Sequence, residues 1–498
     1  MEFRGVIFIS FLFFQLGVNS NAFPMNDLIS KLLGQPDVNF RQFAGYINVD
    51  ENAVGRSLFY YFVEAEKDPL TQPLTVWLTG GPGCSSVGDA FGSVGPFIVT
   101  KDAHDLQTNL FSWNKVSNLL FIDSPIGSGW SYSNTSSDYN NGDDITNKIL
   151  LTFMQKWYEK YPVFKSKDLY LAGSSFAGHF VPNLANALLD DNKQSKQSKF
   201  NIKGLVVTGK PMLRKKLDDI AKIDFFFSRE MINSSLYNEI KQECNAIDEN
   251  NYFSSIKTTW SAKCKNLVFE ANLAAFKTDA HNYSPQKLFD VFRPPCAETE
   301  QDLNLGKQVP IVSTEVDMCH PLRVQFYFNL PEVQKAFHGN QTNLSYRWKG
   351  CFTANFKYNE ADKDLDMLPA LKNLLQQSVR ITIFSGDQDG IIPIEGTLQH
   401  LKKLAEDIKL SIRYDYQFGS KLEHEILSVE SIGLISAIRQ AHTTYLVQWA
   451  DQYEGGLKYE FGDLLKFLTV KGGNHHVTFS RPSQAFSIFS MFTINWMH

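Results

Sequence analysis

A serine between a predicted strand and a predicted helix is the first candidate for chemistry in this chain. Ser175 follows an apolar run, Leu169–Ala172, and precedes an amphipathic stretch, His179–Leu189. The segment between them, Gly-Ser-Ser-Phe-Ala, is close to the Gly-x-Ser-x-Gly pattern that exposes a serine hydroxyl on a sharp turn between strand and helix. The N-terminal amides of the helix would favour negative charge at the same place. Taken alone, the segment also fits an ordinary loop.

Two later segments could supply the base that a serine nucleophile needs and the group that orients this base. Residues 379–385 alternate like a strand and end in Gly-Asp-Gln-Asp-Gly, whose second acid is Asp389. A second strand-like run ends in Gly-Gly-Asn-His-His, which contains His475. The chain order Ser175, Asp389, His475 is that of the α/β-hydrolases. The alternative for each segment alone is a solvated turn.

A glycine-rich loop follows an early strand and could stabilise an oxyanion. The segment Trp77–Ser86 contains Trp-Leu-Thr-Gly-Gly-Pro-Gly-Cys-Ser-Ser. Such a loop can offer one backbone N–H to a tetrahedral intermediate, together with the N–H of the residue after the nucleophile. The predicted donors are Gly81 and Phe176.

At this loop the chain resembles the serine carboxypeptidase family, whose signature is Trp-Leu-Asn-Gly-Gly-Pro-Gly-Cys-Ser-Ser. The resemblance is closest to plant serine carboxypeptidase-like proteins and covers nearly the whole chain after residue 22. The other segments that carry it are 40–46, 56–65, 124–133, 330–336 and 385–389. It implies an α/β-hydrolase fold with a mostly parallel sheet and an inserted helical cap. It also implies that Asp389, rather than Asp387, orients His475, while His476 and His179 have structural roles.

The resemblance also points to altered substrate binding. The family binds the C-terminal carboxylate of a peptide with an Asn and two Glu side chains. The substrate-binding positions that correspond to this site are Thr79, Gly80, Ser93 and Ser174. Because Thr79, Ser93 and Ser174 replace the Asn and both Glu residues, we expect weaker selectivity for C-termini and a weaker preference for acidic pH.

Three other departures from the family pattern bear on activity. Asn474 stands where Gly is usual before the histidine, and Lys210 stands where Asn is usual. Residues 420–448 form an atypical insertion between the predicted acid and base. This insertion is either a genuine surface segment or translated intron sequence. The replacement of Gly by Asn474 matters if this position requires a positive φ, although Asn tolerates such a backbone better than most residues.

The cysteines and sequons indicate an oxidising compartment. Residues 1–22 have the charged start, apolar centre and small-residue end of a secretory signal. Six cysteines allow fifteen pairings, and the resemblance implies Cys84–Cys351, Cys244–Cys264 and Cys296–Cys319. Glycosylation sequons occur at Asn134, Asn233, Asn282, Asn340 and Asn343.

Composition excludes several other classes of function. The net charge is −5 and no basic run occurs, which argues against a nucleic-acid partner. After the signal, no apolar stretch approaches the length of a membrane span. The cysteine spacing is not that of a zinc site, so we predict no metal and no cofactor.

The chain therefore divides into a predicted hydrolase core and a cap. The core comprises 23–211 and 321–498, and the cap comprises 212–320, where charged helical segments carry four of the six cysteines. The predicted function is a serine carboxypeptidase that is secreted to the cell exterior or the vacuole and acts on peptide or protein C-termini. The alternatives are an acyltransferase that uses the same triad and a non-enzymatic glycoprotein. The sequence leaves the oligomeric state open, and homodimers occur in the family.

Overall fold

The computed structural model describes residues 23–50, 55–195, 199–208, 215–244, 260–277, 285–306, 316–339, 341–342, 344, 346–351, 355–418 and 455–494. Several predicted features lie outside these ranges: segment 1–22, the insertion 420–448, Lys210, Asn282, Asn340 and Asn343.

A 12-stranded mixed sheet forms the centre of the molecule. Its middle consists of parallel strands. In their order across the sheet these are β7 (Asn118–Ile122), β4 (Leu74–Thr79), β10 (Asp168–Ser174), β11 (Asn201–Thr208), β13 (Arg380–Gly386) and β16 (Leu465–Val470).

Antiparallel strands extend this sheet on both sides. On the β7 side lie β3 (Arg56–Val63), β2 (Gln42–Asn48) and β1 (Leu28–Ile29), and β8 (Tyr132–Ser133) also pairs with β3. On the β16 side lie β15 (Gly456–Phe461) and β14 (Ile412–Phe418). Two small sheets pair β5 (Phe97–Val99) with β6 (Leu106–Thr108), and β9 (Asn140–Asn141) with β12 (Lys357–Tyr358).

The described helices are α1 (Ser86–Asp89), α2 (Asp143–Lys160), α3 (Ala177–Gln194), α4 (Lys215–Ser228), α5 (Ser234–Glu243), α6 (Ala262–Ala275), α7 (Glu300–Asn304), α8 (His320–Phe328), α9 (Pro331–Ala336), α10 (Glu360–Lys363), α11 (Leu368–Gln376), α12 (Ile394–Asp407), α13 (Val477–Ser480) and α14 (Pro482–Ile494). None of them is long and apolar enough to span a bilayer.

The alternation of apolar side chains along the strands creates a core on each face of the sheet. In β10, Leu169 and Leu171 enter the core that α2, α3, α11 and α12 cover. Tyr170 and Ala172 point the other way, into the core that contains side chains of α8 and α14. Because both faces of the parallel strands are buried, these strands consist mainly of apolar residues. This arrangement confirms the predicted α/β class.

A third, smaller core lies among α4, α5 and α6. It includes the buried cysteines Cys244 and Cys264, which are joined by a disulfide, and it extends to Leu288 and Val291. These helices fall within the range predicted for the cap.

The parallel strands bring the candidate residues to one edge of the sheet. β4 ends at Thr79, β10 at Ser174, β13 at Gly386 and β16 at Val470. Ligand sites of open α/β sheets lie outside the carboxyl ends of the strands, and the predicted serine, acid and histidine all follow such ends.

Candidate active site

The nucleophile candidate occupies a strained turn between β10 and α3. Ser175 has a φ of 58°, a left-handed conformation that is uncommon outside glycine. The turn is held because the Ser175 N–H donates to the Thr208 carbonyl (3.2 Å) and the Gly178 N–H donates to the Ser175 carbonyl (3.0 Å). This is the conformation that lifts a serine side chain above the sheet edge. Accordingly, Ser175 is partly exposed although Phe176 beside it is buried.

The candidate acid and base form a buried hydrogen-bonded pair. The distance from His475 Nδ1 to Asp389 Oδ2 is 2.8 Å, and both side chains are almost fully buried. The other carboxylate oxygen of Asp389 accepts hydrogen bonds from the backbone N–H groups of Ile391 (2.7 Å) and Ile392 (3.2 Å). These bonds fix the carboxylate and hence the imidazole, which leaves Nε2 as the nitrogen that can act on a substrate. No hydrogen bond joins Ser175 to His475, and such bonds are often long in a free enzyme.

Backbone and side-chain hydrogen bonds from the predicted cap hold the loops that carry this pair. The His475 N–H donates to the Phe289 carbonyl (2.8 Å), and the Gly390 N–H donates to the Leu288 carbonyl (2.8 Å). Arg293 donates to Gln388 Oε1 (2.7 Å) and to the Gly472 carbonyl (3.4 Å). One segment therefore fixes the acid loop and the histidine loop together.

The glycine-rich loop packs directly on the serine turn. A Cβ atom on Gly80 would lie 2.3 Å from the Phe176 nitrogen and 2.7 Å from the Ser174 carbonyl oxygen. Gly81 has a φ of 113° and is exposed. In the part of the chain that the structure describes, no hydrogen bond occupies the N–H of Gly81 or of Phe176. Two free N–H groups beside the serine have the composition of an oxyanion hole.

Two of the three residues that replace the family's carboxylate-binding side chains have hydrogen-bond partners within the protein. The Thr79 hydroxyl donates to Asp89 Oδ2 (2.5 Å), and the Ser93 hydroxyl donates to the Asp89 carbonyl (3.0 Å). The Ser174 side chain is buried, and its hydroxyl has no hydrogen-bond partner among the described residues. Sequence reasoning did not single out Asp89. The available signal was an acid in an otherwise uncharged Ser- and Gly-rich segment.

Burial shifts the pKa values of two titratable groups at the site. Burial raises the pKa of Asp89 to about 6, although hydrogen bonds from Thr79 and Trp77 and the charge of His475 lower it. Burial lowers the pKa of His476 to about 3, and the charge of His475 also lowers it. His476 is therefore neutral at ordinary pH, and its ring stacks on Phe289 at 5.5 Å between centroids.

The remaining polar residues at the site have structural partners. Asp387 Oδ1 accepts from the Gly472 N–H (2.7 Å), which joins the acid loop to the histidine loop. His179 Nδ1 lies 2.8 Å from Asp143 Oδ2, and its ring stacks on Phe176 at 4.2 Å. Asp387, His179 and His476 thus each have a partner within the protein.

Asn474 does not adopt the positive φ that would strain an asparagine at this position. The positive φ in the histidine loop belongs to Gly472 (71°), and Asn474 is absent from the described residues with positive φ. Its side-chain oxygen accepts from the His476 N–H (2.9 Å), and its own N–H donates to Ser480 Oγ (3.0 Å). The asparagine therefore stabilises the loop without backbone strain.

The structure contains three disulfides, and they are the three that the resemblance implied: Cys84–Cys351, Cys244–Cys264 and Cys296–Cys319. The first of them ties the glycine-rich loop to a residue 267 positions later. Asn134 and Asn233, the two sequon residues that the structure describes, are both exposed. Among the described residues, no group of three His, Cys, Asp or Glu side chains is arranged to hold a metal ion.

Comparison with known proteins gives the same family along nearly the whole chain. The family model for serine carboxypeptidases matches residues 33–495. Serine carboxypeptidase-like protein 44 of Arabidopsis thaliana is 43% identical over 481 residues, which cover 95% of this chain and 91% of that protein. Serine carboxypeptidase-like protein 42 of the same plant is 41% identical over 476 residues, which cover 95% and 92%.

A solved structure shows the same fold. Kex1Δp, a prohormone-processing carboxypeptidase from Saccharomyces cerevisiae, superposes with a TM-score of 0.73 at 20% identity, covering 95% of this chain and 96% of that one. The predicted α/β-hydrolase fold is confirmed.

Proposed function

Because the chain belongs to the serine carboxypeptidase family, we propose that it is a serine-type carboxypeptidase that releases C-terminal residues from peptides through an acyl-enzyme. The observation that carries the proposal is the buried His475–Asp389 pair, with 2.8 Å between Nδ1 and Oδ2, at the same sheet edge as the strained Ser175 turn. This combination orients a base and exposes a hydroxyl at one place.

In the proposed reaction, Ser175 Oγ attacks the scissile carbonyl carbon while His475 Nε2 takes the hydroxyl proton. The negative oxygen of the tetrahedral intermediate accepts hydrogen bonds from the N–H groups of Gly81 and Phe176. Asp389 accepts the Nδ1 proton and stabilises the imidazolium. The C–N bond then breaks, and the departing amine receives the proton from His475. Water attacks the acyl-enzyme by the same steps and regenerates Ser175.

We propose that the substrate's C-terminal carboxylate lies against Thr79, Gly80, Ser93 and Ser174, in a binding site altered from the family pattern. Thr79 and Ser93 already donate their hydroxyl protons to Asp89, so neither is free to donate to a substrate in the observed arrangement. Ser174 is the member of this group whose hydroxyl has no partner among the described residues. This supports a binding site with fewer donors than the family's.

We also propose that the protein passes through the secretory pathway to the cell exterior or the vacuole. The three disulfides support this, since such bonds persist in oxidising compartments. The exposure of Asn134 and Asn233 supports glycosylation there.

The experiment is labelling of the glycosylated protein with a fluorophosphonate probe, beside a Ser175→Ala variant. We expect labelling of the wild type and none of the variant, followed by release of C-terminal residues from N-blocked peptides. Failure to label folded protein would contradict the proposal and favour a non-enzymatic glycoprotein. Labelling with acyl transfer from glucose esters, and no peptide hydrolysis, would favour the acyltransferase.

A further inference from the structure

A carboxyl group outside the predicted site residues is bonded to Thr79, one of the positions proposed to bind the substrate carboxylate. Asp89 is the last residue of α1, and its side chain turns back onto β4. Oδ2 accepts from the Thr79 hydroxyl (2.5 Å) and from Trp77 Nε1 (3.1 Å). Oδ1 makes no hydrogen bond to a described residue, and the residue as a whole is half-buried. One oxygen is therefore anchored by two donors, and the other is available to a ligand.

The strand pairing around Asp89 connects it to the serine turn. Thr79 lies opposite Ser174 in the pairing of β4 with β10. Ser174 is 4% exposed, and its hydroxyl has no described partner. Ser175, the nucleophile candidate, directly follows Ser174 in the chain. The charge of His475 lowers the pKa of the Asp89 carboxyl. A carboxyl and an unpaired hydroxyl thus share one side of the site.

We propose that Asp89 determines specificity by donating a hydrogen bond from its protonated carboxyl to the C-terminal carboxylate of the substrate, with the Ser174 hydroxyl as a second donor. This inference rests on the proposed carboxypeptidase function. It assigns to α1 a role that the family gives to acids at the positions of Ser93 and Ser174.

The protonation of Asp89 makes this interaction depend on pH. Its pKa is raised to about 6, so the carboxyl is mostly neutral below that pH and mostly charged above it. Neutral Asp89 can donate to a carboxylate, whereas charged Asp89 repels one. Three titratable groups near α1 are Asp123 at the end of β7, which accepts from Ser85 and Val87, His320 of α8, which contacts the Phe91 carbonyl, and His475. Helix α8 also carries Arg323, which pairs with Glu298 and Asp317, and Tyr327, which donates to the Leu33 carbonyl. Of these, His475 is the one whose charge shifts the Asp89 pKa.

The test measures binding rather than turnover, so it does not depend on hydrolysis. A panel of N-blocked dipeptides, each as free acid and as C-terminal amide, is titrated calorimetrically into the Ser175→Ala protein from pH 4.5 to 8. We expect the free acids to bind more tightly than the amides at pH 5, and this preference to fall by up to about tenfold per pH unit above 6. The two members of each pair differ only at the C-terminal group, so the ratio of their affinities reports how the protein binds the carboxylate.

Asp89→Asn in the same background provides the decisive comparison. Asparagine keeps an acceptor for Thr79 and Trp77 and presents an N–H in place of the protonated oxygen. We expect its preference for free acids to stay flat up to pH 8, where it should exceed that of the unsubstituted protein by about a hundredfold. Asp37→Asn removes a fully exposed carboxylate and serves as the control.

Three outcomes would overturn the inference: no preference for free acids at pH 5, a preference unaffected by pH, or the same pH dependence in Asp89→Asn. If the wild type fails to hydrolyse peptides but these binding patterns appear, the proposed function fails and the inference about Asp89 stands.

Discussion

Gly80→Ala tests the contact between the glycine-rich loop and the serine turn. The added Cβ would lie 2.3 Å from the Phe176 nitrogen, 2.7 Å from the Ser174 carbonyl oxygen and 2.9 Å from Ser175 Cβ. Two of these three atoms belong to the backbone, which cannot rotate away as a flexible side chain could. The loop and the turn must therefore separate by about 1 Å before the contacts become ordinary.

The size of this displacement sets the expected loss of activity. The proposed oxyanion donors, Gly81 and Phe176, lie on opposite sides of the contact, so separation moves one relative to the other. Loss of one oxyanion donor costs about 10²–10³ in kcat, or about 2.7–4 kcal/mol. A misplacement of about 1 Å at a reacting centre has a cost of similar size. We expect kcat to fall by about 10²–10³, with a much smaller change in KM because ground-state binding does not need both donors.

The assay is steady-state hydrolysis of an N-blocked amino-acid ester, which does not depend on binding a free carboxylate. Gly350→Ala is the matched control, since a Cβ there would meet nothing within 4 Å. Thermal unfolding of both variants reports whether the fold survives. A folded Gly80→Ala protein with wild-type kcat would refute the reasoning, because the loop would then not need its close approach to the turn.

Two further predictions concern buried carboxylates. Asp389→Asn should lower kcat by about 10⁴, as expected when the group that accepts the imidazole N–H becomes an amide; wild-type turnover of the ester substrate would contradict this role. Asp123 is fully buried and accepts hydrogen bonds from Ser85, Val87 and Trp130, and burial raises its pKa to about 6. Because this pKa lies above that of the unfolded chain, Asp123 stabilises the fold fully below about pH 4. This contribution to the free energy of unfolding is lost as the pH rises through 6, a change of about 3 kcal/mol. Denaturant unfolding should show that Asp123→Asn loses less stability than the wild type between pH 4 and 7, and an unchanged difference would contradict the argument.

The placement of the candidate triad could be predicted because it depends on local pattern. Alternating or apolar runs followed by turn residues predict where the parallel strands end, and such ends meet at one sheet edge. The predicted strand 379–385 corresponds to β13 (Arg380–Gly386). The predicted helix His179–Leu189 is the middle of a longer one, α3 (Ala177–Gln194), since the following residues continue without a breaker. Strand ends and chain order were sufficient for these residues.

Residues brought in by distant segments could not be predicted in this way. Leu288 and Phe289 hold the acid and histidine loops through backbone carbonyls, and the sequence of a segment carries no signal for such bonds. Asn474 carries no backbone strain for a related reason, because the positive φ of the histidine loop belongs to Gly472. Spacing alone does not show which residue of a loop takes the unusual conformation.

The carboxyl of Asp89 can be related to the two family acids that Ser93 and Ser174 replace. The family pattern places two acids where this chain has Ser93 and Ser174, and a third carboxyl beside them would add like-charge repulsion. With both acids replaced by serine, one carboxyl on α1 can occupy the same region, and its pKa is raised mainly by burial rather than by a neighbouring acid. Two interacting carboxyls titrate in two coupled steps, whereas a single one titrates in one. Carboxylate binding by this protein should therefore follow a one-proton curve with its midpoint near the Asp89 pKa of about 6.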